Sequence, residues 1–136
     1  MASRSRAREV ALQALFQEDL NPRDSRDQLA PFLDSRLQDE ELKDFACTLV
    51  LGVLRNQDEL DALLEEKAEN WSLGRMAVTD RNVLRLGAFE IRYCDTPDRV
   101  AIDEAIELAK RFGNAQSSQF VNGILDKLLD HDSQEK

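Results

Sequence analysis

The strongest hydrophobic pattern of the chain lies between Asp39 and Leu54. Apolar side chains recur there with the spacing of a helix that buries one face, and the pattern has no break. Its positions are Leu42, Phe45, Ala46, Leu49, Val50, Val53 and Leu54. Cys47 and Leu51 widen this stripe, which predicts a central helix that is buried on more than one side.

Six other segments carry apolar residues at helical spacing. The predicted helices cover about residues 5–20, 25–37, 58–69, 79–93, 97–112 and 117–129. Thr79 is the expected N-cap of the fifth helix, and Pro97 is expected at the first position of the sixth. Because the chain has only five glycines and three prolines, it has little material for hairpin turns, and the predicted class is all-α.

A single turn around Gly113 joins the last two predicted helices. Two cations precede this glycine, an order typical of a helix C-terminus whose next residue adopts a positive φ. Ser117 or Ser118 is the expected cap of the helix that follows. The bend presents these serines with Gln119 and Phe120, and we expect a surface site there.

Small residues inside the helical patterns indicate where helices cross closely. Gly52, Gly87 and Gly123 occupy such positions, although each glycine costs a helix about 1 kcal/mol relative to alanine. Close backbone approach is the expected compensation. The stripe that begins with Val100 and continues through Ala105 is similarly suited to close contact.

The composition is that of a globular protein. The chain has 136 residues, of which 42% are hydrophobic and 33% charged, enough for one domain or for two small halves that share a core. Its net charge is −9, so bulk attraction does not bring it to nucleic acid, and any such contact must be local. Arg4, Arg6 and Arg8 form one local candidate, which is otherwise a solvated helix start.

Residues that would support catalysis or metal binding are few. His131 is the only histidine and lies beyond the last apolar residue, while Cys47 and Cys94 form no zinc-binding pattern. No nucleotide-binding or nucleophile motif occurs, and we expect neither enzymatic activity nor a metal site. We also expect no membrane span and no signal peptide, hence a cytoplasmic protein with reduced thiols.

Several motifs together resemble one protein family. They are Arg4-x-Arg6-Ala7-Arg8-Glu9, Ala11-x-Gln13-Ala14-Leu15-Phe16, Asp80-Arg81-x-Val83-Leu84-Arg85, Phe89-Glu90, the segment VAIDEAIELAKRFG from residue 100, and Ser118-x-Phe120-Val121-Asn122-Gly123. In this combination the chain resembles the NusB family of bacterial transcription antitermination factors, from about Arg4 to Leu129. Residues 21–75 match the family only as a helical pattern.

The resemblance implies a fold and a function. The fold is a bundle of about seven helices in two three-helix subdomains that share a long helix, so residues 1–130 form a single RNA-binding domain and residues 131–136 a polar tail. NusB proteins pair with NusE, a small-subunit ribosomal protein, and bind the single-stranded boxA element of nascent RNA. With other Nus factors on RNA polymerase, they keep ribosomal RNA operons from terminating early. Neither a cofactor nor catalysis is implied.

The resemblance also assigns roles to particular residues. The implied RNA-binding residues are Arg4, Arg6, Arg8, Phe16, Ser117, Ser118, Gln119 and Phe120. The implied NusE-binding residues are Asp80, Arg81 and Arg85. Core packing is the alternative role for Phe16 and Phe120, and compensation of the helix dipole is the alternative for Asp80.

The sequence departs from the family in two ways, and other functions stay open. Ser3, Ser5 and Ala7 interrupt the arginine tract, which is thinner than in some relatives. Asp103 stands where the family more often has asparagine, which adds an anion near the RNA side. One rival function is a protein–protein adaptor without direct RNA contact. Another is the helical domain that precedes the catalytic part of some ribosomal RNA methyltransferases, for which the chain carries no downstream cofactor-binding fold. A homodimer, which some relatives form, is also an open alternative.

Overall fold

Helices form the regular structure of the computed structural model, which describes residues 3–21, 26–69 and 72–134. In chain order they are α1 (Arg4–Leu20), α2 (Arg26–Arg36), α3 (Glu40–Arg55), α4 (Gln57–Ala68), α5 (Val78–Tyr93), α6 (Asp98–Phe112) and α7 (Ser117–Gln134). A short 3₁₀ helix, Leu73–Arg75, lies between α4 and α5. Within these residues no strand occurs, and the predicted all-α class is confirmed.

The chain divides into two compact units, Met1–Arg55 and Asn56–Lys136. The first unit contains α1, α2 and α3, which is the three-helix arrangement expected for a subdomain. The second contains four helices, from α4 to α7. Helix α7 continues to Gln134, so its backbone is helical into the segment that we expected to be a polar tail.

The core of the first unit forms where α3 packs against α1 and α2. Its buried side chains are Ala7, Val10, Ala11, Leu12, Leu15, Leu29, Leu33, Leu37, Ala46, Leu49, Val50 and Val53. Phe45 and Leu54, at the edges of the predicted α3 stripe, are only half-buried. Cys47 and Leu51 are half-buried as well, so α3 buries mainly one face.

Helix α5 is the most buried helix of the second unit, and Gly87 explains how closely α6 and α7 approach it. A Cβ atom at Gly87 would lie 2.8 Å from Leu125 Cδ1 and 3.3 Å from Ala105 Cβ. The close crossing expected there is confirmed. At Gly123 the same expectation is wrong, because a Cβ atom would meet nothing within 4 Å and the residue faces outward.

Two predicted helix starts differ from the observed ones, α5 by two residues at its N-cap and α6 by one. Helix α5 begins at Val78, after Ala77, and the Arg81 amide already donates to the Ala77 carbonyl at 3.0 Å. Thr79 therefore lies inside the first turn and is not the cap. Pro97 is the N-cap of α6 rather than its first residue.

Candidate nucleic-acid interface

The first candidate surface is the start of α1, in the first unit. Ser3 caps this helix by accepting a hydrogen bond from the Arg6 amide at 3.3 Å, and the first turn contains no acid. Arg4 is exposed, and its guanidinium carbon lies 4.4 Å from the centre of the Phe45 ring. The Arg8 guanidinium carbon lies 5.2 Å from the same ring, but Arg8 is only 5% exposed. The structure therefore brings Arg4 and Arg8 together around a residue of α3.

The third arginine of this surface is partly neutralised. Arg6 Nη1 donates to Glu9 Oε2 at 3.0 Å, and the Arg6 side chain is 41% exposed. The Glu9 side chain is only 11% exposed, so the pair reduces the charge that Arg6 offers to a phosphate. Arg4 and Arg6 are thus the arginines of this surface that solvent reaches, whereas Arg8 is buried.

Phe16 lies near the other end of α1, beside a groove. The groove has a volume of about 400 Å³ and is lined by Ala14, Phe16, Gln17, Glu18, Leu20, Asn21, Gln28, Leu29, Phe32, Val50 and Leu54. Phe16 is half-buried, so it packs against its own unit and also presents part of its ring to solvent. This half-buried position is compatible with both roles that the sequence left open for the residue.

The second candidate surface is the start of α7, in the second unit, where Ser117 has a structural role. Ser117 is 1% exposed. Its Oγ accepts a hydrogen bond from the Asn114 amide at 2.9 Å and lies 3.3 Å from Asn114 Oδ1, to which the hydroxyl donates. Asn114 Oδ1 also accepts from the Gln116 amide at 2.9 Å. Ser117 is the first residue of α7 and holds the turn before it, rather than capping the helix from outside.

This turn requires a glycine at position 113 because a side chain would not fit there, and not because the backbone has a positive φ. Its φ of −97° and ψ of −166° are extended backbone, so the expected positive φ is wrong. A Cβ atom would lie 2.4 Å from Ser117 Oγ and 2.8 Å from the Ala109 carbonyl oxygen. The bend between α6 and α7 is therefore built by a buried serine packed against a residue without a side chain.

The next three residues of α7 present the chemistry expected at the bend. Ser118 and Phe120 are half-buried, and Gln119 is exposed. The first turn of α7 contains no acid, so its backbone amides and the helix dipole favour an approaching anion. Asp103 is exposed on α6 in the same unit.

The predicted partner-binding residues lie on the first two turns of α5, but they are not equivalent. Asp80 is 8% exposed, and its Oδ1 is the only fully buried side-chain oxygen or nitrogen without a hydrogen-bond partner among the residues that the structure describes. Arg81 is half-buried. Arg85 is 6% exposed, and its Nε and Nη2 donate to the two carboxylate oxygens of Asp61 at 2.8 and 3.0 Å.

Sequence reasoning missed two residues that organise these surfaces. Phe45 belongs to the apolar stripe that predicts a core position on α3. Nothing in that pattern indicates that Arg4 and Arg8, on α1, stack on its ring. Asp61 is one of several acids on α4, and its pairing with Arg85 depends on how α4 packs on α5.

Across the described ranges, no group of histidine, cysteine and acidic residues could hold a metal ion. No helix there has the length and apolar character needed to cross a membrane.

Comparison with known proteins identifies similar sequences over nearly the whole chain. The sequence model of the NusB family matches residues 5–130. The transcription antitermination protein NusB of Desulfatibacillum aliphaticivorans is 44% identical over 132 residues, which cover 96% of this chain and 92% of that protein. The protein of the same name from Myxococcus xanthus is 45% identical over 133 residues, which cover 94% of this chain and 95% of that protein. None of these names states a catalytic activity.

Solved structures share the fold. A crystal form of T. maritima NusB is 41% identical and superposes with a TM-score of 0.81, covering 93% of this chain and 89% of that one. The antitermination factor NusB in a crystal with NusE and double-stranded RNA is 23% identical, with a TM-score of 0.85 over 94% of this chain and 96% of that one. At that identity the second likeness concerns the fold alone.

Proposed function

Because the chain belongs to the NusB family of transcription antitermination proteins, we propose that it binds boxA-type single-stranded RNA in nascent transcripts together with a NusE-like ribosomal protein. In this role it promotes processive transcription of ribosomal RNA operons. The observation that carries the RNA part is the start of α1. In a chain of net charge −9, it presents Arg4 and Arg6 to solvent with no acid in its first turn.

On the first unit, the proposed contacts are electrostatic and aromatic. The guanidinium groups of Arg4 and Arg6 neutralise phosphates, and Arg8 adds charge from its buried position. The exposed part of the Phe16 ring is available to stack on a base. Such stacking contributes about 1–3 kcal/mol per base, and single-stranded RNA leaves its bases available for it.

On the second unit, the proposed contacts come from the start of α7. Gln119 and Ser118 supply hydrogen-bonding groups, Phe120 supplies an aromatic edge, and the amides of the first turn favour a phosphate. Ser117 is too buried to reach RNA, so we assign it a positioning role in which it fixes the turn that presents its three successors.

The NusE-like partner is proposed to bind at the start of α5. Asp80 is an 8% exposed acid whose Oδ1 has no donor within the described residues, and its negative charge would attract a lysine or arginine of a basic ribosomal protein. Arg81 is placed to contact the same partner. Arg85 acts through Asp61, because their ion pair fixes the helix surface that carries Asp80. The acidic net charge suits attraction of a basic partner.

The remaining features of the proposal follow from the family. We place the protein in the cytoplasm, in an antitermination complex with RNA polymerase and other Nus factors. A homodimer is a further proposal, and light scattering over a range of protein concentrations tests it, because the apparent mass rises with concentration only if the chain self-associates.

The RNA proposal is tested by titrating a labelled boxA-type oligonucleotide with the protein, in the presence and absence of a purified NusE-like ribosomal protein. We expect tighter binding with both proteins together. Arg6→Ala and Phe120→Asp should weaken it, each by about tenfold. Arg36→Ala is the matched control, because Arg36 also stacks on an aromatic ring of the first unit, at 3.9 Å from the centre of Phe32.

The alternative is an adaptor that binds the ribosomal protein without touching RNA. The buried position of Arg8 and the pairing of Arg6 with Glu9 favour it, since both reduce the charge available to phosphates. Under this alternative, the substitutions at Arg6 and Phe120 leave RNA binding unchanged. Asp80→Ala, in contrast, weakens binding of the ribosomal protein under both hypotheses.

A further inference from the structure

Phe45 connects the core of the first unit to its arginine surface. Its side chain, on α3, is half-buried, and the guanidinium of the exposed Arg4 lies 4.4 Å from its ring centre. Arg8 lies 5.2 Å from the same ring. Both distances are within the range at which a guanidinium group is attracted to an aromatic face.

This contact has a consequence for the chemistry of Arg4. A phenylalanine ring attracts the cation but carries no acceptor that would occupy its N–H groups and no charge that would neutralise it. A guanidinium held against a ring keeps the N–H groups along its edge available to a phosphate. Arg6, by comparison, donates a hydrogen bond to the Glu9 carboxylate at 3.0 Å. Within the described part of the chain, Arg4 forms no ion pair.

The order of the Arg4 side chain is the second consequence. An exposed arginine loses the freedom of several rotamers when it binds a phosphate, and this loss weakens binding. A side chain already held against a ring has lost part of that freedom before the RNA arrives. The buried Arg8 on the same ring adds a second contact that fixes the ring itself.

We propose that Phe45 is a positioning residue for RNA binding, which holds the Arg4 guanidinium in place for a backbone phosphate of single-stranded RNA. The proposal rests on the proposed RNA-binding function and adds to it a residue of α3 that does not touch the RNA. The proposal predicts that removal of the Phe45 ring weakens RNA binding although it removes no charge, because Arg4 is then no longer held in place.

The test compares Phe45→Leu, Phe45→Tyr, Arg4→Ala and the double variant Phe45→Leu/Arg4→Ala. Binding of a fluorescein-labelled single-stranded boxA-type RNA is measured by anisotropy over a range of salt concentrations. We expect Phe45→Leu to weaken binding about threefold at every salt concentration, whereas Phe45→Tyr, which keeps an aromatic face, stays near the original affinity. Arg4→Ala should also lower the slope of log affinity against log salt by about 0.7, as expected for one lost phosphate contact.

The double variant separates positioning from a general structural effect. If Phe45 acts through Arg4, Phe45→Leu changes affinity by less than about 1.5-fold once Arg4 is alanine. An equal drop in both backgrounds would overturn the proposal, as would a Phe45→Tyr protein as weak as Phe45→Leu. Arg4→Lys extends the test to a variant that leaves the core intact: it keeps the charge but loses the planar group, and should bind about as weakly as Phe45→Leu.

The failure of this proposal and that of the proposed function give different results. If the unsubstituted protein does not bind the RNA, alone or with the ribosomal protein, the RNA-binding function is wrong. If it binds and Arg4→Ala weakens binding but Phe45→Leu does not, the function stands and only the role of Phe45 is wrong. Thermal unfolding of each variant, followed by circular dichroism, verifies that the protein is folded at the assay temperature.

Discussion

Arg85 of α5 and Asp61 of α4 form a bidentate ion pair, in which Arg85 Nε lies 2.8 Å from Asp61 Oδ1 and Arg85 Nη2 lies 3.0 Å from Asp61 Oδ2. Arg85 Nη1 also donates to Asn82 Oδ1 at 3.2 Å, and Asn82 Nδ2 donates to the Val78 carbonyl at 2.9 Å. The network fixes the first turns of α5 to α4. It lies beside Asp80, the residue proposed to receive a cation of the ribosomal protein.

Removal of Asp61 should destabilise the second unit. Asp61→Ala leaves a buried guanidinium without its carboxylate, and we expect the free energy of unfolding to fall by about 2–3 kcal/mol. Asp58→Ala is the control, because Asp58 is an exposed acid in the first turn of the same helix and its loss should cost less than about 1 kcal/mol. Urea denaturation measures both. Equal losses would show that the ion pair contributes no more than a surface charge.

Alanine should have opposite effects at two helical glycines. Gly87→Ala places a methyl group 2.8 Å from Leu125 Cδ1 in a filled core and should destabilise the protein by about 1–2 kcal/mol. Gly123→Ala meets nothing within 4 Å and should stabilise it by about 0.5–1 kcal/mol, through helix propensity. Thermal and urea unfolding measure whether each substitution raises or lowers the stability of the protein. A stabilised Gly87→Ala protein would contradict the close crossing of α5 with its neighbours.

Two adjacent serines should differ in their contribution to stability. Ser117→Ala removes the hydroxyl that accepts from the Asn114 amide and donates to the Asn114 side chain, and should cost about 1–2 kcal/mol. Ser118→Ala, at a half-buried position of the same turn, should change stability by less than about 0.5 kcal/mol. The two variants are compared by urea denaturation. The assignment of Ser117 as a positioning residue fails if its loss is neutral.

The pKa of Tyr93 is raised above its ordinary value of 10.0, mainly because its hydroxyl donates to the Glu59 carboxylate. Burial and the negative charge of Glu59 act in the same direction, and Arg92 opposes them. Since a raised pKa favours the protonated phenol in the folded state, this contribution to stability is complete below pH 10.0 and is lost as the pH rises through the folded value. Tyr93 is half-exposed, so the contribution is small.

This shift is measurable because Tyr93 is the only tyrosine. Ultraviolet titration of the phenolate should give a pKa above 10.0 for the native protein and a value closer to 10.0 for Glu59→Gln. Glu66→Gln, an exposed position on the same helix, should leave the titration unchanged. A Glu59→Gln protein whose tyrosine titrates like the original would exclude Glu59 as the cause.

The sequence predicted the helices well because apolar residues recur along them with the helical period, which is visible in the chain. It predicted less well which glycine packs closely against another helix and which apolar residues of α6 are buried. Gly87 and Gly123 look alike within their helices, but only the first faces another helix. Val100 began a stripe that we expected to pack, yet it is 45% exposed, and Ile102 is buried instead.

The sequence by itself determined the all-α class, the order of the helices and the residue types at the two candidate surfaces. Helical periodicity and turn residues are local properties, so neighbouring residues are enough to reveal them. Only the tertiary structure decided which arginines are exposed, that Phe45 lies beneath Arg4, that Asp61 pairs with Arg85, and that Ser117 is buried. Each depends on a contact between helices distant in sequence or on the packing of a turn, and the spacing of residues does not encode either.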